Sequence, residues 1–114
     1  MVRIAVACKE ARGLDDYVHE TFAHAPYFLI ADVEGGKIVK TETMENSFLK
    51  YEYGVGPAVS VKLVEMGVKI VIGAEFGPGV KNILQKESIT MLEVKEGTRV
   101  KDAIKEAVKR LTVG

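Results

Sequence analysis

Two stretches limit most strongly what this chain can fold into: YGVGPAV, residues 53–59, and VKIVIGAEFGPGV, residues 68–80. Each carries a glycine–proline elbow just ahead of a segment with helical character. Pro57 and Pro78 suit the first turn of a helix, where the N–H that proline lacks has no intrahelical partner anyway. The first elbow opens a helix over residues 58–66, with Gly67 in the left-handed position that commonly ends helices. The second follows a short run of branched residues that reads as a buried strand, and it opens a short helix before the strand SITMLEV, residues 88–94. Strand and helix therefore alternate through the second half. That pattern requires parallel crossovers and a sheet covered by helices.

The first half supplies the remaining strands. RIAVAC, residues 3–8, is a short apolar run and reads as buried. YFLIADV, residues 27–33, begins after Pro26, and Gly35-Gly36 follows as a tight hairpin turn whose two central positions need positive φ. The return strand, residues 37–44, alternates apolar and polar, which leaves one face wet. A short helical turn is expected over residues 15–22, and an exposed loop over residues 45–56. The closing helix has the clearest periodicity: Val100, Ala103, Ile104, Ala107, Val108 and Leu111 share one face. Thr98 is its expected N-cap. The sequence thus predicts one α/β domain over residues 1–114, a three-layer αβα arrangement around a mixed five-stranded sheet.

Composition excludes several function classes. Lys and Arg total 16 and Asp and Glu total 16, so no overall basic charge draws the chain to nucleic acid or an acidic membrane surface. No apolar run approaches the roughly 20 residues of a membrane span. Cys8 is the single cysteine, which excludes an internal disulfide and fits a reducing cytoplasm. Gln85 is the one glutamine and Asn46 and Asn82 the two asparagines, beside many Lys and Glu. That balance leans thermophilic. The exposed alternating strand 37–44 leaves room for a homodimer as well as a monomer.

Four sets of residues are candidates for chemistry. The elbow glycines Gly54, Gly56, Gly77 and Gly79 let backbone approach a ligand, and the first amides of each helix point outward. The same residues serve equally as plain turns, and neither elbow matches a phosphate loop, since no Gly-Lys-Ser/Thr follows. Cys8 ends the first strand beside Lys9; it is either a low-pKa thiolate able to ligate iron or a small buried core residue. His19 and His24 complete a thin candidate metal set with Cys8, since zinc sites need three or four ligands. Asp15, Asp16, Glu20 and Glu75 are either a metal-binding cluster or a solvated face. No constellation demands a catalytic residue.

IAVAC, VHETFAHAPYFLIADVEGGKI, the TMEN segment, YGVGPAV, GVKIVIGAEFGPGV and EGTRVKDAI together resemble the dinitrogenase iron–molybdenum cofactor biosynthesis family, the small NifX-like proteins and the C-terminal domain of the NifB type. The resemblance runs over almost the whole chain and implies a ribonuclease H-like αβα fold. It also implies a non-enzymatic protein that binds or carries iron–sulfur or iron–molybdenum cluster precursors, with a cluster-delivery partner. Phe22 stands at the Phe of the family's Ser-x-His-Phe-Gly-type motif, while Thr21 stands at its His and Ala23 at its Gly. The loop KYEYGVG carries no histidine where the family often has one. The resemblance therefore implies cluster binding through Cys8 and a displaced histidine, His19 or His24. The alternative is a small-anion or metabolite-binding regulatory or interaction module that has lost the cluster.

Overall fold

The computed structural model describes residues 1–112. Five strands form one mixed sheet: β1 (Val2–Cys8), β2 (Tyr27–Glu34), β3 (Lys37–Glu45), β4 (Ile70–Gly73) and β5 (Thr90–Glu93), in the spatial order β3-β2-β1-β4-β5. β1 runs antiparallel to β2 and parallel to β4; β3 is antiparallel to β2 and β5 parallel to β4. The central position of β1 follows from its sequence. Ile4, Ala5, Val6 and Ala7 are all fully buried, and a strand apolar on both sides must lie between two layers.

Those layers are three helices. α1 (Val55–Glu65) and α2 (Pro78–Lys86) cover one face and α3 (Val100–Thr112) the other. On the α1/α2 side β1 presents only Ala5 and Ala7, and the rings of Phe22 and Phe28 pack into the same cluster. On the α3 side Ile4, Val6 and Cys8 meet Leu29, Ile72 and Ile104. The expected three-layer α/β arrangement is therefore present.

Local chemistry explains most element boundaries. Gly35 and Gly36 have φ of 59° and 79°, the positive values a two-residue hairpin needs. α1 starts at Val55, three residues before the expected start, because Gly54 takes the left-handed conformation (φ 74°) and caps the helix. Pro57 still falls among the first residues that have no amide partner to lose. At its other end Gly67 donates to the Val64 carbonyl and Val68 to that of Leu63, so a left-handed glycine closes the helix as expected.

Three expectations are corrected. Residues 15–22 are not helical. A 3-10 turn at Gly13–Asp15 is followed by bridges from Val18 to Cys8 and from Tyr17 to Arg99. Long-range carbonyls satisfy this backbone instead: the Val18 amide donates to Thr98 and the His19 amide to Ala7. Thr98 is not the N-cap of α3, since its hydroxyl donates to the Lys95 carbonyl and the Arg99 carbonyl receives the Ala103 amide. Ser88 does not begin the last strand. It closes α2 with φ 57°, the position Gly67 fills after α1, while the Ile89 amide donates to Leu84. A left-handed serine is strained where glycine is not. Ser88→Gly is therefore expected to raise stability by about 0.5–1 kcal/mol in urea unfolding.

The segment before β2 is organised by buried Asp16. Its carboxylate accepts the amides of Glu10 (3.1 Å), Arg12 (3.2 Å) and Tyr17 (2.7 Å). Asp16 thus folds a loop, with its oxygens already occupied by backbone donors.

Candidate functional site

The two elbows meet. Past the carboxyl ends of β1 and β4, where ligands of open α/β sheets gather, the starts of α1 and α2 lie side by side. A Cβ on Gly56 would sit 3.1 Å from Val80 Cγ2, and one on Gly79 would sit 3.7 Å from Pro57 Cδ. The elbows approach this closely because neither glycine has a side chain. Between them opens a cavity of about 160 Å³, lined by Gly56, Pro57, Gly77, Gly79 and Val80 from the elbows and by Thr21, Ala23, His24 and Glu75 from flanking segments. Gly54, two residues before Gly56, caps α1 and does not line the cavity.

The segment 21–26 forms one wall and is held from three sides. The Phe22 amide donates to the Glu75 carbonyl at 2.9 Å. The Phe22 ring lies 4.9 Å from that of Phe76 and 5.3 Å from that of Phe28. Buried Asn46 donates from Nδ2 to the carbonyls of Ala23 (2.8 Å) and Ala25 (2.9 Å). Exposed His24 is thereby fixed at the cavity rim by its backbone.

Two helix N-termini set the electrostatics of the cavity. Each α-helix presents unsatisfied N–H groups and roughly half a positive charge at its N-terminus, and here two such ends converge. Because Pro57 and Pro78 have no N–H, the first-turn donors are the amides of Val55 and Gly56 on one helix and of Gly79 and Val80 on the other. His24 adds an imidazole to the same rim, and Glu75 a carboxylate.

The candidate metal ligands do not converge. Cys8 is 2% exposed and packs with Ile72 and Val18 on the α3 face, across the sheet from the elbows. Its thiol donates to the Val6 carbonyl at 3.2 Å. Of its two readings the structure favours the small buried core residue over the low-pKa thiolate: burial, with the Asp16 carboxylate adding to it, pushes the thiol up to about 12. Native protein at neutral pH is accordingly expected to resist iodoacetamide, with Cys8 alkylated only after unfolding; mass spectrometry reads both states. His19 is half-buried, and its Nδ1 accepts the Thr21 amide at 3.1 Å. Among the described residues, no group of three or more His, Cys, Asp and Glu side chains is placed to hold a metal ion. Asp15, Asp16, Glu20 and Glu75 do not form one either.

Sequence reading named Thr21 and Ala23 as motif positions and Glu75 as part of an acidic set, but not as walls of this cavity, and it missed the lock at Asn46. All four act through partners distant in sequence. The local signals were the VHETFAHAPYFLI, TMEN and GVKIVIGAEFGPGV segments themselves.

Fold and cavity define a small three-layer α/β protein whose paired helix starts flank a glycine-lined cavity. The chain belongs to the dinitrogenase iron-molybdenum cofactor family, whose model matches residues 2–110. Solved structures agree. A candidate NifB protein from Thermotoga is 30% identical, with a TM-score of 0.76 over 96% of this chain and 89% of that one. The apo form of the orange protein from Desulfovibrio gigas is 25% identical, with a TM-score of 0.85 over 96% and 89%. A candidate dinitrogenase from Methanococcus jannaschii, 15% identical with a TM-score of 0.67 over 96% and 89%, shares the fold. No curated protein matches significantly.

Proposed function

We propose that this protein is a non-enzymatic carrier that binds an iron–sulfur or iron–molybdenum-type cluster precursor in the cavity between the two elbows. Family membership over residues 2–110 supplies the class of cargo. The observation that carries the reading is the meeting of two helix N-termini beside His24. Such clusters are anionic, and their sulfides accept hydrogen bonds that tune stability and potential. The amides of Gly56, Gly79 and Val80 are suited to donate to the cargo, and the His24 imidazole to ligate it. Thr21, at the position of the family's motif histidine, lines this cavity too. A histidine three residues later on the same wall is a direct way to replace it. Cys8, across the sheet, serves packing in this reading.

Cargo of this kind survives in reducing surroundings, so the cytoplasm is the proposed location. No helix among the described residues is long and apolar enough to cross a membrane.

Anaerobic reconstitution with ferrous iron and sulfide tests the proposal. Wild type is expected to take up both and to develop visible charge-transfer absorption. Cys8→Ala should retain the load, while His24→Ala should weaken retention at least tenfold, about 1.4 kcal/mol. A colourless, iron-free wild type, or a His24→Ala protein that loads normally, contradicts it.

A further inference from the structure

The opposite pole of the molecule carries a second concave surface. Two helices cover one face of the sheet, but α3 alone covers the other. The turn at Gly13–Asp15 packs over part of the remainder, whereas Thr41 and Thr43 of β3 stay exposed. Beside α3, at the hairpin end, this incomplete layer leaves a groove of about 520 Å³. Its floor is apolar, made by Ile38, Ile104 and Val108, and its charged lining residues are Lys37, Lys105 and Lys109. No carboxylate is among the lining residues.

We propose that this groove docks an amphipathic helix from a partner protein, one with an apolar stripe flanked by Glu or Asp at four-residue spacing. Charge complementarity selects the partner: Lys37 and Lys105 beside an apolar floor match acidic groups beside an apolar ridge. Geometry selects the helix. Lys101, Lys105 and Lys109 recur every four residues along α3, about 6 Å apart on the axis, so acidic residues at i and i+4 on a neighbouring helix keep register with them. The docked helix would complete the second layer as α1 and α2 complete the first, with apolar anchors in the groove. A concave site does not fit a flat lipid surface. The groove lies at the start of β1 and the elbow cavity at its end, so a docked partner leaves the cavity open.

The probe is a synthetic helical peptide of Leu and Glu with that spacing, titrated into the full chain at low and moderate salt. Saturable binding is expected, with amide shifts at Ile38, Ile104 and Val108. Added salt should weaken it, and Lys37→Glu with Lys105→Glu should weaken it at least tenfold. The neutral pair Lys37→Gln and Lys105→Gln should weaken it less, and circular dichroism confirms that each variant folds. Iron loading should be unchanged throughout, which separates failure here from failure of the carrier reading. Equal binding of a Leu–Lys peptide, no binding, or no effect of the double reversal overturns the proposal. So does loss, in the same variant, of binding to phosphatidylserine vesicles or of self-association in place of peptide binding.

Discussion

Phe22→Ala is expected to lower folding stability by about 4 kcal/mol, the middle of the range for emptying a large aromatic site. Phe22 is fully buried, and its ring packs against both Phe28 and Phe76. The site has little freedom to collapse. A Cβ built on Gly73 would already lie 2.9 Å from Phe22 Cδ1, so the ring fills a slot shaped by a glycine at the end of β4. Its backbone also ties the cavity wall to the second elbow through the Glu75 carbonyl. Truncation should therefore loosen the elbow as well as the core. Chemical denaturation reads the loss, and Phe22→Leu should recover more than half of it. A cost below about 1.5 kcal/mol for the alanine variant would mean that the site relaxes freely.

Asn46→Ala is expected to cost about 3 kcal/mol, because it leaves two buried carbonyls without their donor. The Asn46 side chain makes three hydrogen bonds: Nδ2 to Ala23 and Ala25, and Oδ1 from the Phe48 amide at 3.1 Å. One side chain thus fastens the His24 segment to the turn after β3. Asn46→Asp is the sharper variant. It keeps the shape and the acceptor but removes both donors, setting a carboxylate against two carbonyl oxygens. It should destabilise at least as much as alanine. In either variant, amide exchange should speed up around His24 before it does in β1. If Asn46→Asp unfolds at wild-type denaturant concentration, the lock does not act through donation.

The parts of the fold that were legible in the sequence are those decided within a few residues. Gly35-Gly36 fixes its hairpin through two positive φ values, and the apolar spacing of α3 follows from its helical period. Pro57 and Pro78 mark helix starts because a helix has no use for those amides. What stayed hidden depends on partners far along the chain. Residues 15–22 have the composition of a helical turn, yet their amides are claimed by Thr98, Ala7 and Glu75. Ser88 reads as strand because the strain of its left-handed backbone leaves no mark on the local pattern. The candidate site was half legible. The elbow glycines were found, but their meeting is a product of how α1 packs on α2. Cys8 at a strand end looked available as a ligand; strand alternation sends it to the α3 face, where burial keeps it protonated. His24 was one of two equal candidates until the fold put it alone on the cavity rim.

The most direct measurement is the amide spectrum of isotopically labelled protein before and after anaerobic cluster loading. A bound iron cluster broadens and shifts the amides nearest to it. The predicted result is loss of the Gly56, Gly79, Val80 and His24 signals, with those of Val6, Cys8 and Ile104 unmoved across the sheet. A loaded protein whose perturbations centre on Cys8, or on the groove beside α3, would contradict the assignment of the cargo to the elbows.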